Sequence, residues 1–445
     1  MFKLRVKSKI DRFTKTRPVR FFMPGHKGKS AKDFKNAFKL DVTEIDYLNI
    51  PLCVNSAEKD IAKIYSAPFC RILSIGATGG IFSIMHAVKD RGKKLIINRS
   101  AHKSVYNALT LFGIEPVTVG GIDEDGLPSI ITAEETEFAL IKNPDAIGVF
   151  YTYPDYYGRV LVIEKIASVV KKHDKLLLID NAHGAHLKFV DNDKYAGKYA
   201  DLWVDGAHKT LYTLSQGALV FCKEEFIDAL SNAVEVLSTT SPNYAIVSSV
   251  EYGVKEKNQI FSIGKDKTLE KIEELKVKVE KIGLKILSAI DPYKLCIDFS
   301  LSGIDAIKAE EVLRKYKIYP EMNDGKRILF MFSSFNTKKE FRVLFKALVK
   351  TLELKEKIEL EKSLSLIPER KMEYLKAKNS LSKTVLLKDA SGEVSAVDFG
   401  IFPPCYPLVL AGEKISDNVI NAMLLAPQTF GVKDGKIKVV IKNER

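Results

Sequence analysis

Leu176-Leu177-Leu178-Ile179-Asp180-Asn181-Ala182-His183-Gly184-Ala185-His186 is an apolar run that stops at an acid and continues through small residues and two histidines. The apolar part reads as a buried strand of a parallel sheet, too short for a helix. An aspartate just past a strand is, taken alone, most simply a turn cap. The same pattern recurs downstream, where Leu202-Trp203-Val204 leads into Asp205-Gly206-Ala207-His208-Lys209-Thr210-Leu211. Lysines are ordinarily solvated. One set between a histidine and a threonine, in a turn after a buried strand, is instead a candidate nucleophilic amine. Burial and cationic neighbours there would favour its neutral, reactive form.

Outward from these two stretches the chain alternates between strand and helix patterns. Lys94-Leu95-Ile96-Ile97, residues 146–151 and Ala218-Leu219-Val220-Phe221 read as further buried strands. Residues 81–89, 103–111 and 163–172 have the helical period. Strands alternating with helices predict an α/β fold, a mostly parallel sheet with helices on both faces. Leu269, Ile272, Leu275, Val279, Ile282 and Ile286 predict one long amphipathic helix, a connection to a smaller unit. Residues 291–350 then read strand, helix, strand, helix. The remainder holds a charged helix, the loop Phe402-Pro403-Pro404-Cys405-Tyr406-Pro407 and a final helix near 417–424. The expected division is an arm over 1–40, a large domain over 41–265, a small α+β domain over 266–352 and a C-terminal domain over 353–445.

Two further stretches sit where open α/β sheets bind ligands, at strand ends. Ile75-Gly76-Ala77-Thr78-Gly79-Gly80-Ile81 is a Gly-rich turn opening a helix. Its free N–H groups, the positive helix end and the Thr78 hydroxyl make an anion cradle. Asn98-Arg99-Ser100-Ala101-His102-Lys103-Ser104 places a ring at His102, either over a flat ligand or in a helix-capping loop. Together the four stretches supply what pyridoxal phosphate needs: an amine at Lys209 for its aldehyde, an acid at Asp180 for its pyridine nitrogen, a helix N-terminus for its phosphate and a covering ring. The protein's own task is orientation.

Composition narrows the class. The chain has 445 residues, 46% of them hydrophobic, enough for a large core in two or three packed units. Its formal charge of +13 invites a nucleic-acid reading. The lysines, however, alternate with acids, as in Lys271-Ile272-Glu273-Glu274-Leu275-Lys276, the pattern of solvated helix faces, so no nucleic-acid partner is expected. No apolar stretch is long enough to cross a bilayer. Residues 1–20 have neither an apolar core nor a small-residue cleavage site. The five cysteines are scattered without metal-ligand spacing, so reduced thiols, a cytoplasmic location and no metal are expected.

The chain resembles the bacterial ornithine/lysine/arginine decarboxylases, pyridoxal-phosphate enzymes of fold type I (aspartate-aminotransferase-like). The resemblance runs over Pro24-Gly25-His26-Lys27-Gly28, Asp41-Val42-Thr43-Glu44-Ile45-Asp46, residues 76–80, His102-Lys103-Ser104, Tyr156-Tyr157-Gly158, Asp180 with Ala182-His183-Gly184-Ala185-His186, and Ala207-His208-Lys209-Thr210. It implies decarboxylation of arginine, lysine or ornithine to the amine and carbon dioxide. Lys209 would hold the cofactor, Asp180 would pair with its ring nitrogen and Ala182 would lie under the ring. His102 would stack over it, with Thr78, Gly79 and His208 near the phosphate; Ala77 and His183 belong to the same cofactor set. Lys209 and His102 are the catalytic candidates, and Glu44, Asp46 and Glu321 are the candidates for holding the substrate's distal cation. The resemblance also implies a homodimer or dimer-based oligomer with the active site at the interface, and a short form lacking the N-terminal receiver-like domain of larger members. The sequence departs from the family at Asn181 (usually Glu), Gly206 (usually a hydroxyl residue), Ile81 (often Asn), Cys405 (usually Gly) and Ala411 (usually Pro). The rival readings are another fold-type-I reaction, transamination or a lyase step, and a catalytically impaired regulatory relative.

Overall fold

The computed structural model describes residues 16–21, 27, 50–123, 125–160, 162–262, 266–288, 291–356, 367–402, 405–426 and 428–441. Glu44 and Asp46 lie outside the described residues, as do Pro24, Gly25, His26 and Gly28.

A central sheet is built from β1 (Phe69–Leu73), β2 (Lys94–Asn98), β3 (Glu115–Val119), β4 (Ala146–Thr152), β5 (Leu176–Asn181), β6 (Leu202–Asp205) and β7 (Ala218–Cys222). Their order is β1-β7-β6-β5-β4-β2-β3. Only β7 runs against its two neighbours; the other pairs are parallel. Successive side chains point to opposite faces, so the strands feed two separate cores. Ile179, Trp203 and Phe221 join one core with the helices Ile50–Tyr65, Ile163–Lys172 and Tyr244–Ser262. Leu178, Val204 and Val220 join the other with Gly76–Val88, Lys103–Phe112 and Ile227–Leu237. Apolar residues at consecutive strand positions are therefore what a sheet covered on both faces requires.

The sequence pattern does not mark β1 or β3, and both have a local reason. Arg71 interrupts the apolar run of β1 and reaches Glu58 at 3.2 Å. Pro116 in β3 removes a ladder donor, which an edge strand tolerates. The helix expected over 81–89 starts earlier, at Gly76, so the glycines form its first turn.

The helix expected to run to Ile286 ends at Lys281. Gly283, at φ +87°, turns the chain, and Lys285–Ile286 then pairs with the strand Lys294–Asp298. That strand and Arg327–Met331 lie at the centre of a four-stranded antiparallel sheet. Its core is closed by the helices Thr268–Lys281, Ala306–Lys315 and Lys338–Thr351 and by Phe21. Phe21 comes from the strand Val19–Phe21, which pairs with Ile318–Pro320.

In the C-terminal part, Ser382–Leu386 pairs with Lys436–Val440 and Gly400–Ile401 with Thr429–Phe430. The last helix spans Asp417–Leu425. This part has an apolar cluster of its own, and it also sends Tyr374, Leu410 and Ala411 into the second core of the large sheet. Among the described residues no helix is long and apolar enough to cross a membrane.

Candidate active site

The C-terminal ends of β2, β4, β5 and β6 lead into one cleft of about 860 Å³. Its wall includes Ala77, Thr78, His102, Asp180, Ala182, His183, His208, Lys209 and Glu321. Gly79 is buried in the first turn of the helix behind Thr78. The sequence candidates among the described residues therefore converge, although they span residues 77 to 321.

Lys209 sits in a single turn of helix, Ala207–Thr210, directly after β6. The turn packs against the loop after β5 so closely that a Cβ at Gly206 would stand 2.4 Å from the Ala182 carbonyl oxygen. A hydroxyl residue at 206 has no room here, which accounts for that departure. Lys209 Nζ lies 3.0 Å from His183 Nε2. Burial lowers the Lys209 pKa, opposed by the nearby Asp180 and Glu321 carboxylates. Asp180 is 3% exposed, and burial raises its pKa while Lys209 and the Ala182 N–H pull it back. That N–H donates to Asp180 Oδ1 at 3.1 Å, which fixes the carboxylate plane.

The three site histidines are held neutral near pH 7. Burial drives His183 well below its usual value, with Lys209 adding to the effect. Burial takes His102 down to about 4, again helped by Lys209. His208 also falls to about 4 by burial. Its Nδ1–H donates to the Gly217 carbonyl at 2.9 Å, leaving Nε2 as an acceptor. His102 takes the capping place the sequence offered and lines the cleft as well. It caps the helix Lys103–Phe112, its Nδ1 accepting from Ser104 N at 3.2 Å.

The helix Gly76–Val88 has Ile75 at its N-cap and no capping side chain; its Gly76 N–H donates to the Gln216 carbonyl at 2.8 Å, which leaves the N–H groups of Ala77 and Thr78 at the cleft for a ligand. Inside the site, buried His183 Nδ1 and Thr152 Oγ1 have no hydrogen-bond partner among the described residues. An amine and an acid on adjacent strand ends, an uncapped helix N-terminus and unpartnered buried polar atoms fit pyridoxal phosphate.

Several residues outside the set of candidate site residues complete the wall. Tyr156 packs its ring against His183 with centroids 4.8 Å apart and donates its hydroxyl proton to Glu321 Oε1 at 2.6 Å. Phe402, Cys405, Tyr406 and Gln428 come from the C-terminal part. The Tyr156-Tyr157-Gly158 motif signalled the first of these; nothing local signals Phe402, Tyr406 or Gln428. Of the remaining departures, Asn181 donates to buried Asp205 at 2.6 Å, Ile81 is core, and Cys405 holds φ +69°.

Residues 7–294 match the family model described as Orn/Lys/Arg decarboxylase, major domain. The chain belongs to the Orn/Lys/Arg decarboxylase family. It is a pyridoxal-phosphate-dependent decarboxylase of a basic amino acid. The decarboxylase is 28% identical to the arginine decarboxylase of Halalkalibacterium halodurans, over 91% of its own length and 89% of the relative's. It is 26% identical to that of Bacillus subtilis, over 93% and 91%. In fold it resembles the lysine decarboxylase of Francisella novicida, with TM-score 0.76 and 20% identity over 94% of this chain and 78% of that one. The decarboxylase likewise resembles the constitutive lysine decarboxylase of E. coli, with TM-score 0.73 and 20% identity over 99% and 82%.

Proposed function

We propose that this decarboxylase acts on arginine, with Lys209 holding the cofactor, Asp180 facing its ring nitrogen and Glu321 holding the substrate's distal cation. One observation carries this reading: Lys209 and Asp180, on neighbouring strand ends, enter one cleft whose far wall bears the Tyr156–Glu321 pair. When bound, pyridoxal phosphate supplies an aldehyde that couples to amines and a pyridinium that draws electrons from Cα. The chain's own residues do the rest. Buried Asp180 offers a fixed carboxylate, and the helix N-terminus at Ala77, Thr78 and Gly79, with His208, would hold the phosphate. Ala182 and His183 would lie beneath the ring and His102 over it. His183 Nε2, 3.0 Å from the Lys209 amine, is placed to exchange a proton with it. The names of the full-length relatives favour arginine over lysine and ornithine.

The proposal extends to assembly and organisation. Leu424 and Leu425, 60% and 86% exposed, precede cleft-lining Gln428 by only a few residues, which supports a homodimer, or a dimer-based oligomer, closing over the cleft. Five free cysteines support a cytoplasmic location. Division at 266 and 353 is supported by the separate cores of those parts, although Tyr374 and Leu410 are shared with the large sheet.

The experiment is direct. Purified protein is loaded with pyridoxal phosphate, its visible absorption recorded, and its products from arginine, lysine and ornithine identified by mass spectrometry. Wild type should show the band of the lysine-bound cofactor and release carbon dioxide and the amine of arginine. Lys209→Ala should lose the band and roughly 10²–10⁴-fold of the rate. A Lys209→Ala protein with unchanged colour and turnover overturns the assignment.

A further inference from the structure

Behind the site lies a buried polar cluster that the cofactor and substrate roles do not use. His186, Asp291 and Lys294 are 0%, 0% and 1% exposed. His186 ends the loop after β5. Lys294 opens the strand Lys294–Asp298 of the small antiparallel sheet, and Asp291 lies in the turn just before it. Asp291 Oδ1 pairs with His186 Nε2 at 2.8 Å, and Oδ2 lies 3.7 Å from Lys294 Nζ. The Lys294 ammonium donates to two successive carbonyls of the loop after β4, Asp155 at 3.2 Å and Tyr156 at 3.0 Å. The Asp291 N–H closes the bracket on the Gly158 carbonyl at 3.1 Å. The fit is tight: a Cβ on Gly158 would stand 2.8 Å from Lys294 Cδ and 3.0 Å from Asp291 Cβ.

Burying a lysine side chain is costly, and an apolar residue of similar size would serve packing alone at least as well. What the cluster adds is position. It ties two active-site loops, at 155–158 and 183–186, to the small sheet, and these loops bring Tyr156 and His183 to the cleft. The Tyr156 ring contacts His183 on one side and its hydroxyl holds Glu321 on the other. We infer that Asp291 and Lys294 are positioning residues: the Lys294 grip on the 155 and 156 carbonyls sets Tyr156, and through it the alignment of His183 and Glu321 in the cleft. This inference rests on the reading of Glu321 as the acid that meets the substrate's distal cation.

The test uses the cofactor-loaded full chain. Asp291→Asn with Lys294→Met removes both buried charges together, so no lone charge is stranded, and it removes the grip on Tyr156. The melting temperature establishes that it folds; KM, kcat and the visible circular dichroism of the bound cofactor are then read. KM for arginine should rise about tenfold or more with kcat changed less, and the dichroism should change, since hydrogen bonds to charged groups carry energies of that order. Adding Tyr156→Phe should raise KM no further, because both changes act on one residue. Lys294→Arg, which keeps donors toward both carbonyls, should recover most of the wild-type KM. If the paired variant does not fold, Lys294→Gln replaces it, with a rise of roughly threefold from the loss of one bond. A folded variant with wild-type KM and dichroism overturns the inference, as does a KM effect that multiplies with that of Tyr156→Phe. The reading of Glu321 fails separately: Glu321→Gln would then leave KM unchanged while the paired variant still altered the dichroism.

Discussion

Arg99 and Glu413 meet as a two-pronged buried ion pair, Nη1 to Oε1 at 2.6 Å and Nη2 to Oε2 at 2.7 Å. Arg99 follows β2 and precedes His102; Glu413 belongs to the C-terminal part. Arg99 also donates to the Leu408 carbonyl at 2.9 Å, and the Cys405 carbonyl accepts from Lys103 N at 3.1 Å. The wall formed by Cys405 and Tyr406 therefore hangs on this pair. Removing one partner of a buried pair leaves an uncompensated charge and costs about 3–5 kcal/mol. Glu413→Ala should lower the urea midpoint accordingly, and Arg99→Met with Glu413→Leu should recover much of the loss. Equal midpoints for wild type and Glu413→Ala would show that the pair holds nothing.

Asp205 should make stability depend on pH. It is wholly buried, and burial raises its pKa to about 7, against the bonds donated by Asn181 and Tyr195. A carboxyl whose pKa is raised by folding keeps its proton longer in the folded state. Its contribution is complete below the ordinary value of about 4 and is lost as pH rises toward 7. Within that window the loss is about 1.4 kcal/mol per pH unit. Asp205→Asn abolishes the titration, so its urea midpoint should fall less than that of wild type between pH 4.5 and pH 7.5 (roughly the span of that window). Parallel curves for the two proteins would place the proton elsewhere.

Much of this fold was legible because parallel strands buried on both faces must be apolar throughout. Ala146–Thr152 and Leu176–Asn181 stand out for that reason. What was illegible depended on partners distant in sequence. Arg71 makes sense in β1 only with Glu58 across from it, and Pro116 only once β3 is known to be an edge. The site divides in the same way. Asp180, His183 and Lys209 follow strands in the sequence and announce themselves. Glu321 was one acid among many until the bond from Tyr156 set it on the cleft wall, and Phe402 and Gln428 reach it beside the paired strands Gly400–Ile401 and Thr429–Phe430.

Gly206 should resist restoration of the family's hydroxyl. The obstacle is backbone, the Ala182 carbonyl oxygen at 2.4 Å from the added Cβ, and backbone has no rotamer by which to yield. Gly206→Ser should cost about 1–3 kcal/mol, as overpacking typically does. It should also weaken pyridoxal-phosphate binding, because the Lys209 turn and the Ala182 floor must separate. A fluorescence titration of the cofactor reads this; tighter binding by the serine variant would mean that the loops part freely.

Glu321→Gln separates substrate recognition from cofactor chemistry. The substitution keeps an oxygen to accept the Tyr156 hydroxyl proton and removes only the charge. A distal guanidinium would then lose a charge-assisted bond of about 1.5–3 kcal/mol, a rise in KM of roughly 10–150-fold. The visible band of the loaded protein should persist, since Lys209 and Asp180 are untouched. Because a neutral amide still accepts from a neutral partner, an uncharged analogue of the same length should lose far less between wild type and variant than arginine does. If arginine and its uncharged analogue suffer equally, the acid that reads the distal cation lies elsewhere, and Glu321 is reduced to holding Tyr156.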